Sequence, residues 1–199
     1  MFIELLTAIG IGTAALPSDA SEPTPIIDYP DPTEVMCLAE NMYHEAKNQG
    51  TAGWSAVASV TFNRIRDSRF PNTVCEVVKQ GPTRESWKTR LLDIPDEERK
   101  YYPIRHRCQF SWYCDGKSDE IPSFDGDIFQ LIYEYAELYL RPDVILIDIT
   151  DGATHYHADY VFPEWRKSKT KTVEIGDHIF YRWETVSYTH LTLPTKRIV

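Results

Sequence analysis

The stretch EVMCLAENMYHEA, residues 34–46, decides the fold of this chain. Its apolar side chains recur at the i, i+3, i+4, i+7 spacing that predicts an amphipathic helix with one face in the core. These apolar positions are Val35, Leu38, Ala39, Met42, Tyr43 and Ala46. At about 100° per residue, Glu45 falls about 90° from the centre of this stripe, on its edge.

A carboxyl group at the edge of a core is partly removed from water, and desolvation raises its pKa toward that of a general acid. Glu45 is therefore a candidate acid, whereas Glu40 points away from the stripe. Most glutamates in such a place are structural or solvated, so this geometry alone does not assign a function to Glu45.

Composition and charge narrow the class of protein. A chain of 199 residues that is 42% hydrophobic and 26% charged is typical of one soluble globular domain with tails. The formal net charge of −9 argues against nucleic acid as a partner, because phosphate binding needs a basic face. No apolar run approaches the length of about 18 residues that spans a bilayer, so we expect no stable membrane insertion. We expect a monomer.

The chain divides into four segments. Residues 1–16 are apolar and signal-like, although a basic start is missing. Residues 17–32 carry five prolines and read as a linker. The folded domain is expected over 33–185. Residues 186–199 include VSYTHLTLPT, which resembles the translation of a transposase adapter used in sequencing libraries, so we expect this tail to have no evolved role.

Further elements are predicted within the domain. A central helix rich in small residues is expected over 51–67, and a short helix over 73–80. Ser123 is expected to cap a helix over 126–140, whose core side is Ile128, Leu131, Ile132, Tyr135 and Leu138. A strand or strand-loop is predicted at 107–116, a short strand at 144–149, and a strand pair around Gly176-Asp177 at 173–183. The charged, proline-punctuated stretch 81–106 predicts a long surface excursion bordering the cleft.

The four cysteines leave two interpretations open. They are Cys37, Cys75, Cys108 and Cys114, and none lies in a CxxC pair, which disfavours a zinc ribbon. In an oxidising compartment two disulfides are expected, with Cys108 and Cys114 closing a small loop and Cys37 left to pair with Cys75. Four reduced thiols are the alternative.

Five stretches, taken in order, carry a family resemblance. They are CLAENMYHEA (37–46), AVASVTFNRIRDSRFPNTVCEVV (56–78), CQFSWYCDG (108–116), YHA (156–158) and IGDHIFY (175–181). Together they resemble the cell wall hydrolases of the SleB/CwlJ type, which include spore-cortex-lytic enzymes and phage lysins. The resemblance implies an α+β fold, a mainly helical lysozyme-like (lytic-transglycosylase-like) domain with a small antiparallel β-sheet. It also implies cleavage of peptidoglycan glycan strands between N-acetylmuramic acid and N-acetylglucosamine.

The resemblance assigns roles to individual residues. It implies that Glu45 is the catalytic residue and that no cofactor or metal is needed. The residues expected to bind substrate are Gln109, Phe110 and Ser111, on a strand that lines the cleft, with Trp112, Tyr156 and His157. Core packing is the alternative for Phe110, Trp112 and Trp165. The polymer implies action in the cell wall outside the cytoplasm, or after release from a phage-infected cell.

Two mechanisms fit a wall glycosidase. A lone glutamate that acts as acid and then as base, with a sugar hydroxyl closing a 1,6-anhydro ring, is the reaction of a lytic transglycosylase, and we favour it. A muramidase-type hydrolase needs a second carboxylate, about 5 Å away or farther. Glu76 and Asp115 are candidates only if the fold brings them close.

Three alternatives belong to other classes. A zinc amidase or peptidase of the peptide stems would use His155, His157 and His178, although HEAKN (44–48) lacks the second histidine of HExxH. A non-catalytic wall-binding module would tolerate loss of Glu45. A cysteine nucleophile would be Cys37 or Cys114, activated by a histidine.

Overall fold

The computed structural model describes residues 29–184. Predictions for residues 1–28 and 186–199 lie outside the described residues. The helices are α1 (Pro32–Ala46), α2 (Gly50–Arg66), α3 (Val74–Val78), α4 (Trp87–Arg90) and α5 (Gly126–Leu140). The strands are β1 (Thr83–Glu85), β2 (Tyr101–Pro103), β3 (His155–Ala158), β4 (Thr170–Ile175) and β5 (His178–Arg182). This confirms the predicted α+β class, mainly helical with small antiparallel sheets.

Helix α1 forms the centre of the helical layer. The Asp31 side chain accepts a hydrogen bond from the Thr33 N–H at 2.8 Å. Pro32 occupies the first turn, where an N–H would have no partner within the helix, so the missing proline N–H costs nothing. All six members of the predicted apolar stripe are buried, where α1 contacts α2, α3 and α5. The prediction for this helix is confirmed, because its periodic apolar face packs against three neighbouring helices.

A buried polar link fixes α1 against its surroundings. The Asn41 amide donates to the Thr61 hydroxyl at 3.4 Å and accepts from the Trp112 Nε1–H at 3.0 Å. Near the end of α1, the Trp54 Nε1–H donates to the Ala46 carbonyl at 3.1 Å. Because buried polar groups are costly unless paired, these bonds favour one relative placement of the helices.

Helix α2 separates the helical layer from the main β-sheet. Its Val57 and Ala58 pack with α1, whereas Ala56 and Val60 pack with Phe180 of the sheet. The sheet has the order β3-β5-β4 and is antiparallel throughout. The small residues that predicted a central helix are those that allow both neighbours to approach closely.

Four local predictions are wrong. Stretch 107–116 is not a strand: it bends and then forms a 3₁₀ helix, Ser111–Cys114. Its Cys108–Cys114 bond holds two Cα atoms 6.1 Å apart, whereas six extended residues span about 20 Å. Stretch 144–149 is irregular, because the Asp148 carboxylate accepts from the Thr150 and Gly152 N–H groups and turns the chain.

The other two wrong predictions concern α5. Ser123 begins a 3₁₀ turn, Ser123–Asp125, rather than capping the helix. On the predicted core side, Leu131 and Leu138 are exposed, while Ile132 and Ala136 are buried. The core-facing stripe of α5 is therefore narrower than its apolar sequence suggests.

Both disulfides pair as predicted. Cys37 of α1 is bonded to Cys75 of α3, and Cys108 is bonded to Cys114. The Glu34 carboxylate adds a second link between α1 and α3, since it accepts from the Val74 N–H at 2.6 Å. The start of α1 is thus tied to α3 by a covalent bond and a hydrogen bond.

The two disulfides should differ in what they contribute to stability. The Cys37–Cys75 bond closes a loop of 38 residues and the Cys108–Cys114 bond a loop of 6. Chain entropy predicts that the double variant Cys37→Ala/Cys75→Ala loses about 4 kcal/mol of unfolding free energy, and Cys108→Ala/Cys114→Ala about 2 kcal/mol. Urea unfolding of both variants measures this, and the reverse order would contradict it.

Candidate active site

Glu45 lies in the last turn of α1, with its side chain half-buried. Its Oε2 accepts a hydrogen bond of 2.9 Å from the Tyr156 hydroxyl. Tyr156 lies on β3 and pairs in register with Phe180 of β5, which packs against α2. The sheet therefore brings the tyrosine across α2 to the end of α1.

Arg64 provides the positive charge of the site. It is a buried residue of α2, and its Nε–H donates to the Thr154 carbonyl at 2.8 Å. The guanidinium lies 4.7 Å from the centroid of the Phe110 ring, a cation–π distance. Its Nη1 is buried without a hydrogen-bond partner in the described part of the chain. This cation faces both Glu45 and Tyr156.

Burial dominates the electrostatics of the site. Desolvation raises the pKa of Glu45, against the opposing effects of the Tyr156 hydrogen bond and the Arg64 charge. Desolvation also raises the pKa of Tyr156 well above its usual value, so the hydroxyl keeps its proton and remains a donor. Burial lowers the pKa of Arg64 to about 10, which leaves it charged at neutral pH. Glu45 therefore has the properties of a general acid.

Glu45 lines two cavities. The first, the Tyr156 cavity, has a volume of about 320 Å³. It is lined by Glu45, Arg64, Gln109, Phe110, Ser111, Tyr156, His157, Ala158, Tyr160 and His178. The second, the Glu120 cavity, has a volume of about 400 Å³. It is lined by residues 43–49, Ser118, Glu120, Pro122 and Asp177.

Most of the predicted substrate-binding residues lie beside Glu45. Gln109, Phe110 and Ser111 line the Tyr156 cavity from a bend instead of the predicted strand. Tyr156 and His157 line the same cavity from β3. Gln109 and Ser111 are exposed and Phe110 is buried, so Phe110 also has the core-packing role that was its alternative.

The prediction that Trp112 binds substrate does not agree with its position. Its side chain is only 8% exposed, stacks on His44 with ring centroids 4.4 Å apart, and donates its N–H to Asn41. Trp165 packs among His155, His157 and Tyr181. The sequence pattern could not reveal this position, because a 3₁₀ helix turns Trp112 inward while its neighbour Ser111 is exposed.

Sequence reasoning did not assign Arg64 and Tyr160 to the site, and it named His178 only as a possible zinc ligand; all three line the Tyr156 cavity. It also missed Glu120 and Asp177, two carboxylates that line the Glu120 cavity with Glu45. An arginine inside an apolar helical run was a signal for Arg64. The two carboxylates carry no local signal, because only the tertiary fold brings residues 120 and 177 to the end of α1.

The carboxylates named from the sequence are engaged elsewhere. Glu76 accepts from the Thr73 hydroxyl at the start of α3, and Asp115 accepts from the Lys117 N–H. Among the described residues, neither they nor Glu40 line a cavity with Glu45. If a second carboxylate acts with Glu45, Glu120 and Asp177 are better placed.

The described residues do not form the sites that the zinc-dependent and cysteine-nucleophile alternatives require. Between residues 29 and 184, no three His, Cys, Asp or Glu side chains are grouped so as to hold a metal ion. His157 Nδ1 lies 2.8 Å from the Ala158 carbonyl and Nε2 lies 3.1 Å from the Tyr181 hydroxyl, so both ring nitrogens are engaged. All four cysteines are in disulfides, so no thiol is available as a nucleophile.

Stretch 81–106 is a surface excursion, as predicted. It forms β1, α4 and β2, and none of its described residues lines the Tyr156 or Glu120 cavity. The excursion instead contacts the 108–116 segment, where Arg105 Nε–H donates to the Asp115 carbonyl at 2.7 Å.

A comparison with protein families decides the class. The family model described as "Cell Wall Hydrolase" matches residues 48–181, about two thirds of the chain. This chain belongs to the cell wall hydrolases. It is therefore an enzyme that acts on peptidoglycan, and not a non-catalytic binding module. The matched range begins three residues after Glu45, so the role of Glu45 depends on the geometry of the site.

Two solved structures are distantly similar to this cell wall hydrolase. One is the catalytic domain of the Bacillus cereus SleB protein, with 21% identity, a TM-score of 0.48, and coverage of 82% of this chain and 100% of that one. The other is the catalytic domain of the germination-specific lytic transglycosylase SleB from Bacillus anthracis, with 22% identity, a TM-score of 0.48, and coverage of 80% and 100%. No curated protein sequence matches the chain. No helix among the described residues is long and apolar enough to cross a membrane.

Tyr156→Phe tests the hydrogen bond that Glu45 accepts. Its loss removes an influence that lowers the pKa of Glu45, so the basic limb of the pH–activity profile should move to higher pH. The kcat should fall about tenfold, because the acid is retained but no longer held in place. The control is Tyr160→Phe, which removes a hydroxyl from the same cavity. A basic limb that stays in place would contradict the assignment.

Glu45→Gln should stabilise the fold at neutral pH. The pKa of Glu45 is higher in the folded chain than in the unfolded chain. At a pH between these two pKa values, the folded chain binds more protons than the unfolded chain. The unfolding free energy therefore falls as the pH rises through the folded pKa. A glutamine side chain does not ionise, so this loss of unfolding free energy does not occur. Its carbonyl oxygen can still accept the hydrogen bond from the Tyr156 hydroxyl. Thermal unfolding should show a higher Tm for the variant at pH 7 and no gain below about pH 4. The control is Glu97→Gln, at an exposed position, which should leave the Tm at pH 7 unchanged. If Glu45→Gln also has the Tm of the parent chain at pH 7, the raised pKa of Glu45 is contradicted.

Proposed function

We propose that this enzyme is a lytic transglycosylase that cleaves the glycan strand between N-acetylmuramic acid and N-acetylglucosamine, with Glu45 as its acid and base. One observation carries the proposal. Glu45 is the one carboxylic acid among the described residues lining the Tyr156 cavity, and its pKa is raised by burial. A single protonated carboxyl group beside a cavity suits this reaction, which needs no activated water.

Glu45 acts twice in this reaction, first as an acid and then as a base. Glu45 donates its proton to the glycosidic oxygen as the bond from that oxygen to C1 of muramic acid breaks. The resulting carboxylate then accepts the proton of the muramic acid 6-hydroxyl, whose oxygen bonds to C1 and closes the 1,6-anhydro ring. No water is consumed, and Glu45 regains its proton for the next cycle.

The neighbours of Glu45 support both steps. The Tyr156 hydroxyl binds Oε2, which leaves Oε1 as the oxygen for proton transfer. The buried Arg64 cation stabilises the carboxylate that exists between the two steps. Burial favours the protonated form before the first step, and the cation limits how far the pKa rises.

Hydrolysis is the second candidate, and the Glu120 cavity is the observation that favours it. Glu120 and Asp177 line this cavity together with Glu45. A carboxylate there could activate a water molecule on the opposite face of the sugar, as inverting muramidase-type hydrolysis requires. Glu120→Gln and Asp177→Asn separate the two candidates, because transglycosylation needs neither residue.

Several broader assignments follow from the proposed substrate. Peptidoglycan lies outside the cytoplasmic membrane, so we propose an extracytoplasmic site of action for a monomer that needs no cofactor. We also propose residues 33–185 as the catalytic domain, preceded by a linker over 17–32.

The products of digestion test the proposal. Purified peptidoglycan treated with the enzyme should yield muropeptides that end in 1,6-anhydro-muramic acid, detected by mass spectrometry. Glu45→Gln should lower their rate of formation by about a hundredfold or more, while Glu40→Gln on the same helix should not. Reducing-end muramic acid products would indicate hydrolysis instead. Cleaved peptide stems with intact glycan would overturn both candidates.

A further inference from the structure

The surface excursion holds a cavity of its own. Strands β1 and β2 form an antiparallel hairpin, and α4 lies between them in sequence. A cavity of about 570 Å³ opens on this hairpin, and we call it the hairpin cavity. The side chains that matter most for its chemistry are Arg84, Glu85, Trp87, Lys88, Arg90 and Tyr102. The active site uses none of them.

Exposed aromatic rings line the hairpin cavity. Trp87 is 68% exposed and Tyr102 is 57% exposed, although rings of this size usually bury most of their surface. Arg84 lies opposite Tyr102 in the strand register, so the two side chains share one face of the hairpin. The Lys88 ammonium lies 5.9 Å from the centroid of the Trp87 ring. Each of these two rings thus has a cation beside it.

The charge of the hairpin cavity is opposite to that of the whole protein. Three cations line it, Arg84, Lys88 and Arg90, against one acid, Glu85. The Glu85 carboxylate is already bound by Arg99 at 2.9 Å. In a chain with a formal net charge of −9, this is a local positive surface that favours an anionic partner.

The cavity is preformed by hydrogen bonds within the excursion. The Ser86 N–H donates to the Lys100 carbonyl at 2.7 Å. Buried Thr89 donates its hydroxyl hydrogen to the Ser86 carbonyl, and the Arg99 guanidinium reaches the Ile94 carbonyl as well as Glu85. These bonds hold the backbone that carries the rings and cations, so a ligand would need to order less of the chain on binding.

We propose that the hairpin cavity is a second binding site for the peptidoglycan polymer, separate from the site of cleavage. The apolar faces of its sugar rings would stack on Trp87 and Tyr102, and the carboxylates of its peptide stems would pair with Arg84 and Lys88. This inference rests on the proposed substrate, but not on the identity of the bond that is cut. The site keeps the enzyme on an insoluble polymer between cuts.

Binding to insoluble polymer tests this site without cleavage. The full chain with Glu45→Gln is titrated onto peptidoglycan sacculi from which phosphate polymers have been stripped with hydrofluoric acid. In this background Trp87→Ala and Tyr102→Ala should each weaken binding about tenfold, the scale of one buried aromatic side chain. Arg84→Gln should weaken it about threefold and lose its effect when the sacculus carboxylates are amidated.

Two matched controls come from the same excursion. Tyr101 is 55% exposed and lies next to Tyr102, and Lys100 is an exposed cation, but neither lines the hairpin cavity. Tyr101→Ala and Lys100→Gln should keep the parent affinity. Equal affinity for all five variants, or an equal loss in the controls, would overturn the proposal. Binding that disappears when the phosphate polymers are stripped would also overturn it.

The active enzyme separates this proposal from the proposed function. With Glu45 intact, Trp87→Ala should raise the KM on insoluble sacculi about tenfold and leave kcat and the KM on short soluble glycan fragments unchanged. If Glu45→Gln still cleaves glycan, the proposed function fails while the binding result stands. If the KM also rises on short fragments, the hairpin cavity is not a separate site.

Discussion

The hydrogen bond between Tyr156 and Glu45 is the interaction on which the arrangement of the site depends. It joins the last turn of α1 to the first strand of the main sheet, across α2. A carboxyl group in this position has little water around it, so a neutral donor and a nearby cation replace part of its hydration. The helical layer and the sheet must both be in place before Glu45 has these neighbours.

Helix α2 sets the distance between these two layers. Its small residues let α1 approach on one side and β5 on the other, and its Arg64 extends into the same space as Glu45. A larger side chain in place of Ala56 or Ala58 would move one layer and separate the acid from its tyrosine. The geometry of the site is therefore a consequence of core packing as much as of the residues that carry the chemistry.

Periodic stretches were the predictable part of the fold. The stripe of α1, the span of α5 and the strand pair near Gly176 follow from local patterns that the tertiary structure does not override. Local patterns did not predict the loop at 108–114, because the Cys108–Cys114 disulfide closes it and prevents an extended strand. They did not predict the turn at Asp148 either, because there the side chain binds backbone N–H groups that a strand would pair with a neighbouring strand. At the site, Glu45 and Tyr156 were found through a family resemblance. Glu120 and Asp177 were missed because their nearness to Glu45 is a property of the folded chain alone.

The Cys37–Cys75 bond links the helix that carries Glu45 to the redox state of its surroundings. Cytoplasmic thiols are kept reduced, while disulfides persist in oxidising compartments. In a reducing compartment, α1 would be joined to α3 only by packing and the Glu34 hydrogen bond. Outside, the covalent tether closes on the same side of the membrane as the polymer. The α1–α3 contact would therefore gain its covalent tether only in an oxidising compartment.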